Sequence, residues 1–303
     1  MTPWHEQDVP EVPGAVAVVT GANTGLGLET TRVLAQRGAT VVMACRDQGK
    51  AAAGRAALIA AGVPGQRLET ASLDLSDQGS VERFADSLGH DRLDLLINNA
   101  GLMAVAKSTT ADGFETQFGV NHLGHMALTL KLLPLLNATA GARVVTLTSM
   151  GHRPGRIRLD DPNFERGRYG RWRAYFQSKL ANILFTAELG RRLTAAGHDT
   201  LSTAAHPGYA ATGLGKDGRL FARLSGLVDT VIAQPAAMGA VPTLRAATDP
   251  DAFQGALYGP HRVTFGPAVP EVPSATARDA SLAGRLWELS LELLAPAKVV
   301  FPG

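Results

Sequence analysis

Gly21-Ala22-Asn23-Thr24-Gly25-Leu26-Gly27-Leu28-Glu29 follows directly on the apolar run Ala15 to Thr20, and this junction decides the fold. A short apolar run that ends in a glycine-rich turn and continues with helical spacing reads as a buried strand entering a helix. The glycines fall where such a turn must tighten, where a pyrophosphate must meet bare backbone, and where the helix must pack closely on a sheet. The helix N-terminus then offers free N–H donors and a partial positive charge to phosphate. An ordinary strand-to-helix turn favours glycine as well; the position after the first strand is what points to a nucleotide.

Outward from this turn, apolar runs alternate with helical patterns almost to the end of the chain. Strands are expected at Ala15 to Thr20, Thr40 to Cys45, Leu68 to Leu75, Leu93 to Asn98, Arg143 to Ser149 and Leu201 to His206, with a weaker seventh near Ala256 to Tyr258. Helices are expected near Gly25 to Arg37, Gly49 to Ala61, Gln78 to Leu88, Phe114 to Leu136, Arg173 to Ala196, Ala236 to Thr248 and Ala275 to Leu294. The rhythm is that of an α/β protein, and continuous runs such as Val16-Ala17-Val18-Val19 suit a parallel sheet covered on both faces. No fixed-period repeat or Ser/Gly-rich linker divides the chain, so residues 1–303 read as a single domain, with 1–14 as an N-terminal extension. Two stretches break the rhythm, Gly151 to Arg171 and Tyr209 to Gln234. Both follow late strands, at the edge where open α/β sheets place ligands, and 209–234 is expected to flank the substrate.

Composition narrows the partners. The 29 basic and 27 acidic side chains leave a formal charge of +2, too little for a nucleic-acid or anionic-membrane footprint, so a small molecule is expected. The one cysteine, Cys45, forms no intrachain disulfide and no zinc cluster, which fits a reducing cytoplasm. His122 and His125 lie i,i+3, but no third ligand stands at metal spacing, and no metal is expected. Met1 to Gly14 has no apolar run, and no run of about 20 apolar residues follows, so neither leader nor membrane anchor is expected.

The turn reads T-G-x-x-x-G-x-G. With Asp74 in Leu73-Asp74-Leu75, Asn98-Asn99-Ala100-Gly101, Asn121, Ser149, Tyr175-x-x-x-Lys179 and Pro207-Gly208 following in order, the sequence resembles the short-chain dehydrogenase/reductases over nearly its whole length. The resemblance implies a Rossmann-type doubly wound parallel sheet with helices on both faces, and a nicotinamide coenzyme. It implies that Gly21, Asn23, Thr24, Gly25, Leu26 and Gly27 bind the coenzyme phosphates. Asp74 and Leu75 would hold the adenine edge, and Asn99, Ala100 and Gly101 the ribose side. Pro207, Gly208, Ala210 and Thr212 would meet the carboxamide and phosphate side of the nicotinamide. Asn98 to Gly101 also reads as a tight turn ending a strand.

The second strand ends Met43-Ala44-Cys45-Arg46, where an NAD-preferring protein of this fold carries a carboxylate. Cys45 stands there instead, and the Arg46 guanidinium suits a 2′-phosphate, so NADP(H) is expected over NAD(H). Arg46 also reads as a solvated surface side chain, or as a partner for Asp47.

Tyr175 and Lys179 share one helix face. Alone, such a pair is common on exposed helices; with Ser149 and the glycine turn it fits carbonyl chemistry. Reduction needs hydride at carbon and a proton at oxygen, and a free tyrosine of pKa about 10 is a poor shuttle at neutral pH. An adjacent ammonium and a cationic nicotinamide favour the phenolate. The resemblance implies Tyr175 as general acid or base, Lys179 as its modulator and ribose ligand, Ser149 as donor to the substrate oxygen, and Asn121 as the holder of a proton-relay water. Adjacent strand residues face opposite ways, so only one of Thr148 and Ser149 meets the substrate, and the resemblance implies that it is Ser149.

The long gap between Ser149 and Tyr175, the run Ala174 to Asn182 and Leu286-Trp287 resemble the retinol-dehydrogenase and protochlorophyllide-reductase-like branch. The chain departs from it in the absence of an anchoring N-terminus and in Tyr209, where protochlorophyllide reductases carry Cys. The expected activity is therefore NADP(H)-dependent hydride transfer to or from a ketone, aldehyde or alcohol, in a protein for which a homo-oligomer is left open. A catalytically idle NADP sensor or scaffold on the same fold is the alternative, and such proteins tend to lose the Tyr or Lys. An extended sugar-nucleotide epimerase would show other glycine spacing. Apolar residues between Leu214 and Ile232 at mostly helical spacing suggest a lid for bulky hydrophobic carbonyls, or simply core.

Overall fold

The first strand, β1 (Val16–Thr20), is buried throughout, and its alternation sends Val16 and Val18 into one apolar cluster and Ala17 and Val19 into another. A sheet that must hide both faces needs helices on both, and the structure, a computed structural model describing residues 3–208, 235–262 and 265–297, shows how they are supplied. One cluster packs beneath α1 (Gly25–Gln36), α2 (Gln48–Ala60) and α6 (Ala236–Thr248). The other packs beneath α3 (Gln78–Asp86), α4 (Gly124–Ala138), α5 (Arg171–Ala195) and α7 (Ala280–Leu294).

The remaining strands are β2 (Thr40–Cys45), β3 (Leu68–Ser72), β4 (Leu95–Asn98), β5 (Arg143–Leu147), β6 (Leu201–Ala205), β7 (Leu257–Pro260) and β8 (Ala268–Glu271). Their order is β3-β2-β1-β4-β5-β6-β7-β8; β1 to β7 are parallel and β8 is antiparallel to β7. The doubly wound sheet expected from the sequence is present. The chain winds outward from β1 to β3 and returns on the other side of β1 at β4, so the crevice between β1 and β4 opens at the carboxyl ends of the strands.

All seven expected strands appear, with ends shifted by up to three residues. β3 stops at Ser72, ahead of a turn in which Asp74 Oδ1 accepts from the N–H and hydroxyl of Ser76. β8 was not expected: Pro270 breaks its pattern, and an edge strand tolerates proline. The opposite edge of β8 is met by Trp4, whose carbonyl accepts from Ala268 N–H at 3.0 Å. The N-terminal segment is thus fastened down, with Glu6 also paired to Arg32 on α1. The last expected helix starts later than its pattern, at Ala280, because Asp279 caps it by accepting from Leu282 N–H.

The expected helix Phe114 to Leu136 spans 116–138 and is not regular. Between Thr116–Phe118 and α4 it widens into one π turn, Gly119–Leu123. Just beyond, Gly124 lies against the Leu75 carbonyl, where an added methyl would overlap backbone. Gly124→Ala is expected to lower stability by about 1–3 kcal/mol, read as a reduced urea midpoint. An unchanged midpoint would mean that the helix can move away from the loop carrying Asp74.

Candidate active site

The crevice is built from backbone first. Gly21 and Gly25 hold φ of +65° and +57°, and at Gly27 a Cβ would come within 2.5 Å of Asn99 Nδ2 and the Gly21 carbonyl. Thr24, at the N-cap of α1, makes no side-chain capping bond, so the first-turn N–H groups stay unclaimed by side chains. Thr20 Oγ1 accepts from the N–H of Asn99 and of Ala100, both at 2.9 Å, and Asn99 Nδ2 donates to the Thr20 carbonyl at 2.7 Å. These bonds pin the end of β4 to the end of β1. The result is a cleft of about 330 Å³. Gly21, Asn23, Thr24, Gly25, Leu26, Gly27, Arg46, Asp74, Leu75, Asn99, Ala100 and Gly101 all line it. Bare backbone, an uncapped helix start and a depth that no side chain fills are what a dinucleotide pyrophosphate requires.

Arg46 is exposed on the cleft wall and, among the described residues, makes no hydrogen bond or ion pair. Asp47 is engaged by Lys50 instead, capping α2 at 3.0 Å and pairing with the ammonium at 3.5 Å. Lys50 lines the same cleft. Its place as a second cation was missed in the sequence because it lies inside a helical pattern rather than in the turn. Cys45 is buried beneath the glycine turn; burial pushes its thiol up, while backbone N–H groups of Ala22 and Asn23 pull the other way.

Beyond Gly101 on the cleft wall, the end of β5 and the start of α5 bring the candidate catalytic residues together. Ser149 caps a short 3₁₀ turn, its Oγ accepting from Gly151 N–H at 3.1 Å. Thr148, facing the other way, donates to the Lys179 carbonyl. Tyr175 and Lys179 occupy successive turns of α5. Burial pushes the Tyr175 phenol up, and its hydrogen bond to Ser149 opposes that shift. Lys179 Nζ lies 5.9 Å from the Tyr175 ring centre and donates to the Leu147 carbonyl at 3.2 Å. Burial brings its pKa down to about 8. On Tyr175 the effect of burial is larger than that of the Ser149 hydrogen bond.

Asn121 sits in the π turn. Its side chain accepts from Leu102 N–H and donates to the Leu102 carbonyl and to Ser178 Oγ. Gly101 separates its Oδ1 from Lys179 Nζ: a Cβ on Gly101 would lie 3.3 Å from one and 3.5 Å from the other. The four residues therefore converge on one place. His125 joins this group to the glycine turn. Its Nδ1 faces the Asn121 carbonyl, which can only accept, so Nε2 carries the lone pair that takes the Thr20 hydroxyl at 2.9 Å. His122 instead meets Ser290, and no group of His, Cys, Asp and Glu fit to hold a metal occurs among the described residues.

Burial drives His122 to a pKa of about 3 and His125 to about 4. The unfolded imidazoles titrate near 6.5. Both histidines thus add stability that is complete above about pH 6.5 and is lost as the pH falls from there toward 4. The loss is up to about 1.4 kcal/mol per pH unit for each. Urea midpoints at pH 7 and pH 5 check this; equal values would mean that the rings accept protons in place.

The stretch Gly151 to Arg171 is tied down by contacts that local sequence does not announce. Phe164 is buried, Tyr169 donates to Glu115 at 2.9 Å, and Gln117 donates back to the Tyr169 oxygen at 2.9 Å. Trp172, 40% exposed, stands edge-on to Tyr175 at 6.0 Å between ring centres and packs on Phe176. Pro207 and Gly208 follow β6. Ala210, Thr212 and the stretch Leu214 to Ile232 lie outside the described residues.

Fold and cleft together define a dinucleotide-binding oxidoreductase of the doubly wound class. Residues 15–220 match the family model described as short chain dehydrogenase. Retinol dehydrogenase 12 of Homo sapiens is 41% identical over 290 residues, covering 94% of this chain and 87% of that protein. Retinol dehydrogenase 13 of Homo sapiens is 39% identical over 291 residues, covering 93% and 85%. A solved structure of an uncharacterized protein from Mycobacterium Paratuberculosis superposes with a TM-score of 0.83 at 47% identity, covering all of both chains. A short chain dehydrogenase from Escherichia coli, solved in complex with NADPH, shares the fold at 22% identity and a TM-score of 0.65, over 82% of this chain and 97% of its own. The chain belongs to the short-chain dehydrogenase/reductase family, whose members use NAD(P). Among the described residues no helix is long and apolar enough to cross a membrane.

Proposed function

We propose that this chain, as one domain over residues 1–303, is an NADP(H)-dependent carbonyl or alcohol oxidoreductase of the cytoplasm whose substrates are hydrophobic ketones or aldehydes. The observation that carries the reading is a continuous set of neighbours, Ser149 bonded to Tyr175, Tyr175 beside Lys179, and Lys179 and Asn121 on either side of Gly101, which lines a cleft walled by bare glycine backbone. The coenzyme, when bound, supplies hydride at the carbonyl carbon. Tyr175 donates the proton to the carbonyl oxygen, or accepts it in oxidation. Ser149 Oγ, already hydrogen-bonded to the phenol, donates to the same oxygen and stabilises its developing charge. Lys179 holds the nicotinamide ribose hydroxyls, and Asn121 anchors the relay that returns a proton. Arg46 and Lys50 hold the 2′-phosphate. Supporting the choice of substrate are the exposed Trp172 beside Tyr175 and the relatives named for retinol, a long apolar alcohol.

A panel of carbonyls and alcohols followed at the nicotinamide absorbance tests the proposal. Bulky apolar aldehydes and ketones are expected to show the highest kcat/KM. Faster turnover of short, charged or sugar-like substrates would overturn the substrate class. Tight coenzyme binding without turnover of any of them would favour an idle sensor.

A further inference from the structure

Glu271 closes β8, the edge strand, and reaches back over the sheet to His206 at the end of β6. His206 is fully buried, and its Nε2 lies 3.1 Å from Glu271 Oε1. Its other ring nitrogen, Nδ1, lies 3.1 Å from the N–H of Gly208. A backbone N–H can only donate, so Nδ1 must carry the lone pair and Nε2 the proton, which it gives to the carboxylate. One tautomer satisfies both contacts. Gly208, held at φ +67°, is the turn residue this bond fixes. Gly259, on β7, runs directly under the pair, and a Cβ there would overlap both the His206 ring and the Glu271 carboxylate. The second carboxylate oxygen faces Arg153 at 3.6 Å, on the loop that follows Ser149. His152, on that loop and buried, donates from Nδ1 to the Ser149 carbonyl at 2.8 Å.

We propose that Glu271 is a positioning residue: through His206 it sets the Pro207–Gly208 turn, and through Arg153 it ties that turn to the loop carrying Ser149. Neither Glu271 nor His206 touches the reacting atoms. Their effect is to hold constant the spacing between the two loops that border the nicotinamide end of the cleft. The inference rests on the coenzyme reading above for what the turn contacts, while the hydrogen-bond relay stands on geometry alone. A pair that merely stabilised the edge strand would leave the Gly208 amide and the nicotinamide half as they are. A pair that positions the turn affects only the nicotinamide half.

The test uses the full chain in three forms: wild type, Glu271→Ala and Glu271→Gln. Glutamine keeps an acceptor for His206 Nε2–H but not the charge. Proton–nitrogen NMR of the wild type is expected to show His206 neutral with the proton on Nε2. Exchange of the Gly208 amide is expected to speed up in Glu271→Ala and to return toward wild type in Glu271→Gln. Affinity for NADPH is expected to fall about ten-fold in Glu271→Ala, the worth of one lost hydrogen bond, and only a few-fold in Glu271→Gln. Affinity for adenosine 2′,5′-bisphosphate, which has no nicotinamide half, should stay unchanged in both. Should Glu271→Ala not fold, Gly259→Ala displaces the pair from beneath and carries the same expectations. Equal losses for fragment and whole coenzyme, no loss for either, or a glutamine variant as poor as the alanine would overturn the proposal. A wild type that binds no nicotinamide coenzyme would refute the functional reading instead, and the tautomer and amide exchange would then decide the relay by themselves.

Discussion

Tyr175→Phe is expected to cut kcat by about 10² to 10⁴ while coenzyme still binds, the range that a general acid supplies. The ring stays packed against Trp172 and Phe176, so the helix that positions Lys179 is undisturbed. What is lost is the hydroxyl alone. Because burial holds the phenol high before coenzyme arrives, oxidation by the wild type should rise with pH as the phenol ionises, and the variant should lack that limb. Steady-state kinetics with a substrate found in the panel, together with coenzyme titration of both proteins, checks the point. A variant with near-wild-type kcat would remove Tyr175 as the proton donor.

Arg46→Ala is expected to lower NADPH affinity by about ten- to a hundred-fold, since a charge-assisted bond to phosphate is worth roughly 1.5–3 kcal/mol. NADH, which has no 2′-phosphate, should be little affected. Lys50 on the same wall should retain part of the preference, so the double variant is expected to lose it entirely. Cys45→Asp should reverse it, because a carboxylate there accepts from the ribose and repels a phosphate. Titration at fixed ionic strength with both coenzymes measures all four proteins. A wild type that prefers NAD(H), or an Arg46→Ala with unchanged NADPH affinity, would reduce Arg46 to an ordinary surface charge.

The parts of the fold legible in the sequence are those where chemistry is local. A strand buried on both faces, such as Val16 to Val19, has only apolar residues to use, and the turn after it has to be glycine. Most of the cleft lining was legible for the same reason, since it belongs to short motifs at the ends of strands, whereas Lys50 lies inside a helix and carries no such mark. What was not legible depends on partners distant in sequence. Glu115, Gln117 and Tyr169 look like scattered polar residues until the fold brings them together. β8 is four residues with a proline inside and becomes a strand only because β7 and Trp4 flank it. The π turn at Asn121 is another case. Nothing in Gly119 to Leu123 forbids a regular helix; the side chain's bonds to Leu102 and Ser178 accompany the widening.

The bridge between Trp4 and Ala268 has a consequence for how the protein is made. Trp4 precedes β1 and Ala268 opens β8, so the sheet cannot be closed on that side until β8 has been synthesised. Until then the nascent segment around Trp4 has no strand to meet, and the edge later taken by β7 and β8 stands open to other chains. A substitution that removes Trp4 would act on that step, and would appear as aggregation during expression rather than as lost activity in the protein that survives.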